Sequence, residues 1–328
     1  MTTSYKKQLK TVAFEKISDK KILTDFSLSP VPEELNTSIR SIGMNHPPVL
    51  SLAGDAYQVI TGHRRIKICR MQNQDQLSAY ILETPLEPSA AIRFNLIDNL
   101  QHRVYTDIEK AAILEKLNGV EATDEEIIKE YMPLLGLQRS KKLFLDYLSI
   151  KTFNFNLRQL LHDLRVPAKV WSLIGEWTEE DLSAVEKDFS ILKPGINKWR
   201  DLLELVDELA RIEKSTPASI LNAESTQAIL MMGDLQSHEK YDRIHRQLKI
   251  RRNPIMSDLQ KKVAMLLDEM ALGPQTKIRA LDSFEEGEIR IEIRVRNQEK
   301  LIAEIEKLDH AARTDAMKKL IQLFKNPQ

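Results

Sequence analysis

Cysteine is nearly absent from this chain of 328 residues, and Cys69 stands alone. A single thiol excludes an intramolecular disulfide and any metal centre built on several cysteines. Glycine is scarce too: the 10 glycines amount to roughly 3% of the chain, less than half the usual share of about 7%. Aromatic residues reach only 6%. Large β-sandwiches and propellers lean on turn glycines and aromatics, so the shortage points to a helix-rich chain. No apolar run approaches the roughly 18 residues of a membrane-spanning helix. The charged start, MTTSYKKQLKTVAFEK, has no apolar stretch of secretory length. The expectation is a cytoplasmic protein with no membrane partner. Net charge is missing as well, with 48 Lys+Arg against 48 Asp+Glu. No bulk field draws the chain to nucleic acid or lipid, so a nucleic-acid site has to come from local clustering.

What is present suits a soluble fold. Hydrophobic residues make up 42% and charged residues 29%. At about 150 residues per domain the length implies two or three domains. The expected class is α+β and helix-rich, in three parts. Residues 1–105 read as a small mixed α/β domain. Residues 106–235 read as an all-helical domain with a helix-turn-helix-like segment, and 236–328 as a small α/β module.

In the first part, Leu35, Ile39 and Ile42 recur at helical spacing between Pro32 and Gly43. VLSL (49–52) and YQVI (57–60) flank an AGDA turn and read as a hairpin. TGHRR (61–65) then opens a helix through Met71, and LSAYIL (77–82) reads as another strand. In the second part, Thr106 with Glu109 and Thr123 with Glu126 fit capping boxes. Thr178 precedes three acids, which suit a helix N-terminus. In the third, SDLQKKVAMLLDEMAL (257–272) reads as an amphipathic helix and EIRIEIRVR (288–296) as a half-buried strand.

Two stretches carry chemistry. In YQVITGHRR (57–65) a strand enters a glycine turn, and the turn enters a helix beginning with two arginines. Gly62 allows close approach of a ligand to the backbone. The helix start offers free N–H groups to an anion, and Arg64 and Arg65 offer bidentate donors. The parts suit a di- or triphosphate. They also suit a surface turn whose arginines pair with carboxylates, and the spaced glycines and Lys-Ser/Thr pair of a P-loop are absent. The second stretch is IDNLQHR (97–103). Asp98 can offer a hard oxygen to magnesium, and Asn99 and Gln101 can bond a ligand, although the stretch also suits an ordinary polar link between helices.

Together, SIRSIGMNHPPVLS (38–51), YQVITGHRRIKICRM (57–71) and LIDNLQHRVYTDIEKAAILEKL (96–117) resemble, in order and spacing, three blocks of the ParB/sulfiredoxin-like amino-terminal domain. The resemblance implies a site for a nucleoside triphosphate, CTP with Mg2+, held by Thr61, Gly62, His63, Arg64, Arg65, Asn99 and Gln101, with Asp98 on the metal. It implies double-stranded DNA as partner, a homodimer, a role in chromosome partition and a partner ATPase. His63 stands where ParB usually has Glu, Asp98 replaces Glu and His102 replaces Arg. These departures point to nucleotide binding, with slow CTP hydrolysis at most. The sulfiredoxin reading fails because position 63 is not Cys, and Cys69 falls in an amphipathic helix, where packing is expected.

Residues 123–150 sit where ParB carries its helix-turn-helix. Gln138, Arg139, Ser140, Lys141 and Lys142 would open the second helix and meet DNA. Against this, Pro133 is expected to break the first helix. A second basic group, Arg243, Arg246, Lys249, Arg251 and Arg252, suits either phosphate contacts or a solvated face. Residues 236–328 also resemble the carboxy-terminal module of some ParB-like proteins, with a turn at Phe284-Glu285-Glu286-Gly287; dimerisation is the expected role. Two other functions remain: a small-molecule phosphotransferase with Asp98 or His63 as base, and an interaction scaffold with a vestigial nucleotide site.

Overall fold

The computed structural model describes residues 5–18, 23–100, 102–280 and 289–325. Gln101 and the turn at 284–287 lie outside them. Packing divides the chain into two units, one ending at Asp242 and one beginning at Arg243.

The first unit opens with β1 (Lys7–Ala13), α1 (Glu33–Ile42), β2 (Val49–Ala53), β3 (Ala56–Thr61), α2 (His63–Met71), β4 (Gln76–Leu82) and α3 (Pro88–Asn99). The four strands form one mixed sheet in the order β1-β4-β2-β3. β2 and β3 make the expected antiparallel hairpin, and β2 runs parallel to β4. Side chains alternate across a strand, and here both alternating sets are apolar. Leu50, Val59, Leu77 and Ala79 pack with Ile66 of α2. Val49, Ile60 and Leu82 pack with Ala91 of α3. The sheet is thus covered on both faces, which brings the start of α2 and the end of α3 to the same end of β3. Cys69 is buried with Ile39 and Ile68. Burial pushes its thiol pKa up, so it is a packing residue.

From α4 (Asp107–Asn118) to Asp242 the chain is helical. Thr106 and Glu109 form a complete capping box, and so do Thr178 and Asp181. At Thr123 half the box forms: its side chain accepts from the Glu126 amide. α4 is the hub, with Ile108, Ala111, Ile113, Leu114 and Leu117 buried. α5 (Asp124–Glu126), a π-helical stretch (Ile127–Tyr131) and α6 (Met132–Leu134) run on from one another. Then come α7 (Lys141–Leu148), α8 (Phe155–Asp163), α9 (Ala168–Trp171), α10 (Glu179–Leu192), α11 (Ile196–Ile212), α12 (Pro217–Leu221) and α13 (Glu224–Met231). Trp171 and Trp199 are fully buried.

Pro133 does not break its helix. The turn before it widens, so that the Met132 amide reaches back five residues to the Ile127 carbonyl. Proline has no N–H to donate to Lys129, four residues back; Arg139 Nε donates to that carbonyl instead, at 3.0 Å.

α14 (Ser237–Arg252) spans the division between the units. Ile244 and Leu248 are buried, while Arg243, Arg246, Lys249 and Arg251 are exposed and Arg252 is half-buried. In the second unit, α15 (Pro254–Glu269), β5 (Thr276–Ala280), β6 (Ile289–Ile293), α16 (Gln298–Ala312) and α17 (Asp315–Lys325) follow. Leu259, Met270, Ala311, Met317 and Leu320 form its core. The expected strand at 288–296 pairs only over Ile289–Ile293. Ile291 stays 39% exposed, so the apolar face is less covered than its alternation suggests.

Candidate functional site

The turn at the end of β3 has one geometry open to it. Gly62 takes φ +90°, and a Cβ there would lie 2.7 Å from Pro48 Cβ. Only glycine fits both limits. Gly62 caps α2 without a side chain, and the first turn holds no acid. The first helical bond runs from the Ile66 amide to the Gly62 carbonyl. The amides of His63, Arg64 and Arg65 therefore have no acceptor within the helix.

They border a cleft of about 170 Å³ lined by Asp25, Ser27, Gly62, Arg64, Asn99 and Arg103, among others. The turn after β3 and the end of α3 thus face one space. Arg64 reaches Ser27 Oγ at 2.6 Å. Among the described residues its buried Nε has no partner, an expensive state for a charged donor. Burial and then the neighbouring charge of Arg103 lower the Arg64 pKa. Arg65 bonds the His46 carbonyl. An anion in the cleft would relieve both the unpaired donor and the repulsion.

Asn99 is oriented by Asn95, which is buried on the preceding turn of α3. Asn99 Nδ2 donates to the Asn95 carbonyl at 2.8 Å and to Asn95 Oδ1 at 3.2 Å. Asn95 Nδ2 donates to the Ile60 carbonyl at 2.6 Å. Both amide hydrogens of Asn99 point inward, which leaves its Oδ1 as the group free for a ligand.

His63 lines the cleft, but its ring is tied back into the fold. Nε2 lies 2.8 Å from Thr24 Oγ1, which donates its own hydrogen to the Val59 carbonyl at 2.7 Å. Thr24 must then accept from His63, so Nε2 carries the proton. Burial lowers the ring pKa to about 4, against the pull of Asp25; His63 is neutral near pH 7. Thr61 is buried in β3, paired with Val49, and does not border the cleft. Asp98 is exposed and also outside the lining, although its charge raises the Arg65 pKa against the burial that lowers it. Among the described residues no group of three or more His, Cys, Asp or Glu converges as a metal site. A magnesium ion would depend on ligand phosphates, with Asn99 Oδ1 as the oxygen this cleft can add.

Residues 24–30 form a wall that no motif announced. Asp25 pairs with Lys67 at 2.7 Å; burial raises its pKa, but the Lys67 hydrogen bond and the His63 field bring it below the ordinary value. Lys116 of α4 bonds the Asp25 carbonyl at 2.9 Å, and the Leu28 amide donates to Glu109 at 3.2 Å. Arg103 also pairs with Glu109, at 2.9 Å. Of the residues missed, Asn95 was detectable four positions before Asn99. Asp25 and Ser27 had no signal of their own.

In the helical part, Gln138, Arg139, Lys141 and Lys142 are exposed. Ser140 is the N-cap of α7, accepting from the Leu143 amide at 3.3 Å. Lys141 and Lys142 are the first two residues of α7, and its first turn has no acid. Two cations at the positive end of a helix oppose its dipole.

Residues 2–100 match the family model of the ParB N-terminal domain. The probable chromosome-partitioning protein ParB of Coxiella burnetii is 36% identical over 96 residues, 29% of this chain and 32% of that protein. Its Pseudomonas putida counterpart is 35% identical over 97 residues, 29% and 33% of the two chains. The chain thus spans about a third of the length of these curated relatives. A truncated Caulobacter crescentus ParB, solved with CTP-gamma-S, overlays at TM-score 0.27 with 19% identity, over 55% of this chain and 92% of that one. The same protein with its centromeric parS site overlays at 0.34 with 16% identity, over 60% and 98%. These overlays are loose, and the likeness to ParB rests on the sequence matches.

Proposed function

We propose that the chain is a ParB-like DNA-binding protein whose grip on DNA is coupled to a bound nucleoside triphosphate, CTP with Mg2+. The observation that carries this is the shared cleft. Unpaired α2 amides and the orphaned Arg64 Nε face Asn99 and Arg103 across one small space. Phosphates would sit on the amides of 63–65 and on Arg64, while Asn99 Oδ1 would receive the metal or its water. Arg65, held by the His46 carbonyl, would frame the cradle. In such a site the metal supplies charge neutralisation to the phosphates.

The coupling has a physical route. Residues 24–30 contact the cleft through Arg64 and contact α4 through Glu109 and Lys116. A ligand that draws Arg64 or Arg103 inward acts on the start of α4, against which α7 packs. Nucleotide shifts the grip only if it prefers one arrangement of these helices. DNA would meet the exposed cations Arg139, Lys141 and Lys142, with Gln138 near a base edge, and phosphate contacts could extend to Arg243, Arg246, Lys249, Arg251 and Arg252. The parts 1–105 and 106–235 would serve as nucleotide and DNA domains, and 236–328 as the homodimer contact. The phosphotransferase reading loses support because burial makes the His63 ring a weak base with Nε2 committed to Thr24, and Asp98 lies outside the cleft lining.

The test is a titration of CTP, ATP and GTP with magnesium, with and without mixed-sequence duplex. The reading requires CTP to bind best and to change the affinity for duplex. Absence of binding by all three nucleotides would overturn it.

A further inference from the structure

Beyond Arg64 and Arg103 a second cleft opens, of about 430 Å³. Ser29 and Pro30 form one wall, the loop from His102 to Thr106 another, and His162, Asp163 and Arg165 at the end of α8 a third. The two clefts share Arg64, His102 and Arg103.

Three features set the second cleft apart from an ordinary surface groove. The first is charge. Arg64, Arg103 and Arg165 all line it, and only Arg103 has a carboxylate partner, Glu109. Arg64 bonds a neutral hydroxyl and keeps a buried, unpartnered Nε. Arg165 is exposed and makes no hydrogen bond or ion pair through its side chain among the described residues. Two carboxylates line it as well: Glu109, held by Arg103, and Asp163, which accepts from Gln159 Nε2 at 2.8 Å, so the three arginines outnumber them by one.

The second is backbone. Arg165 has φ +51°. Its amide bonds the His162 carbonyl and the next amide bonds Leu161, which is the helix ending that normally uses glycine or asparagine. An arginine at such a position is strained, as are Lys193, Lys214 and Ala271 at other helix ends, but here the strained residue lines a cleft beside two further arginines. The third is rigidity. His162 bridges Ser29 Oγ and Thr106 Oγ1, each at 2.9 Å. The walls are tied together before any ligand arrives, which limits the ordering cost of binding.

We propose that this second cleft is an anion subsite for a phosphate-class group, with Arg165 as the cation that determines it. The inference rests on the reading of the first cleft as a phosphate cradle. The group is either the terminal phosphate of a nucleotide in that cradle or a separate phosphate or pyrophosphate beside it.

The experiment titrates CTP, CMP and pyrophosphate, with magnesium, into the full chain and its Arg165→Gln, Arg165→Gly and Arg64→Gln variants. If the subsite takes the terminal phosphate, both Arg165 variants lose about tenfold in CTP affinity, as expected for one charge-assisted bond, and bind CMP normally. If it takes a separate anion, CMP-saturated wild type binds pyrophosphate and the Arg165 variants do not. Arg165→Gly also relieves the backbone strain, so its melting temperature should equal or exceed that of wild type while the anion is lost. Unchanged CTP and pyrophosphate binding in both variants, or an equal loss for CMP, would overturn the subsite. Normal nucleotide binding by Arg64→Gln would instead sink the first cradle, so the two failures are distinguishable.

Discussion

Asn99 hangs from Asn95, its side-chain amide donating twice to the residue one turn earlier, at 2.8 and 3.2 Å. Asn95 in turn holds the Ile60 carbonyl, two residues before Gly62. One buried side chain therefore sets the spacing between the turn after β3 and the block on α3. Asn95→Ala should leave the Ile60 carbonyl unpaired and loosen Asn99 by removing its 3.2 Å bond to Asn95 Oδ1, the bond to the Asn95 main-chain carbonyl remaining. We expect a stability loss on the order of 1–3 kcal/mol by urea unfolding, and a loss of nucleotide affinity greater in magnesium than in EDTA. An affinity loss equal in both would mean that Asn99 Oδ1 does not serve the metal.

Gly62→Ala tests the cradle itself. The added methyl meets Pro48 at 2.7 Å in a backbone conformation of φ +90°. The αL penalty alone is roughly 1–2 kcal/mol, and relief requires α2 to move away from Pro48. Denaturant unfolding should show at least that loss, and nucleotide binding should fall in the surviving folded fraction. Gly54→Ala is the control: φ is +64° there, but nothing lies within 4 Å. It should pay the conformational penalty and keep its ligand.

His63 makes stability depend on pH. Its folded pKa of about 4 lies below the ordinary value of 6.5, so the unfolded chain binds more protons between those values. The contribution is fully present above pH 6.5 and is lost as pH falls toward 4, on the order of 3 kcal/mol in all. Asp25, whose folded pKa is lowered, adds a further loss at lower pH. Unfolding free energies for wild type and His63→Gln, measured from pH 4 to 7, should converge toward the acid end. Parallel curves would show that His63 is not buried neutral.

The legible parts of the molecule are those written in local chemistry. The hairpin over Val49–Thr61, the Gly62 turn and the Thr106 and Thr178 caps follow from spacing and residue type. So did the pairing of the Arg64 turn with Asn99, once the resemblance joined the two blocks. Contacts between distant, unpatterned residues were hidden. Leu28 meets Glu109 through a backbone amide, and no side-chain pattern encodes that. Pro133 misled for a related reason: the donor that replaces its missing N–H is Arg139, beyond the following turn. His63 looked available because its partner, Thr24, lies 39 positions upstream.

The start of α7 separates function from stability. Lys141 and Lys142 occupy the first turn, where the helix dipole favours acids. Lys141→Glu with Lys142→Glu should therefore stabilise the fold, by about 0.3–1 kcal/mol per site at low salt. If these lysines neutralise DNA phosphates, the same pair should abolish duplex binding. Their single alanine variants should each lower the salt dependence of binding by about one unit in log–log slope. Arg139→Ala is expected to combine weaker DNA binding with a small stability loss, because it also strips the Lys129 carbonyl of its donor. A doubly acidic variant that melts higher and still grips duplex with the wild-type salt slope would remove α7 from the DNA-facing surface. Binding would then have to come from the cations on α14.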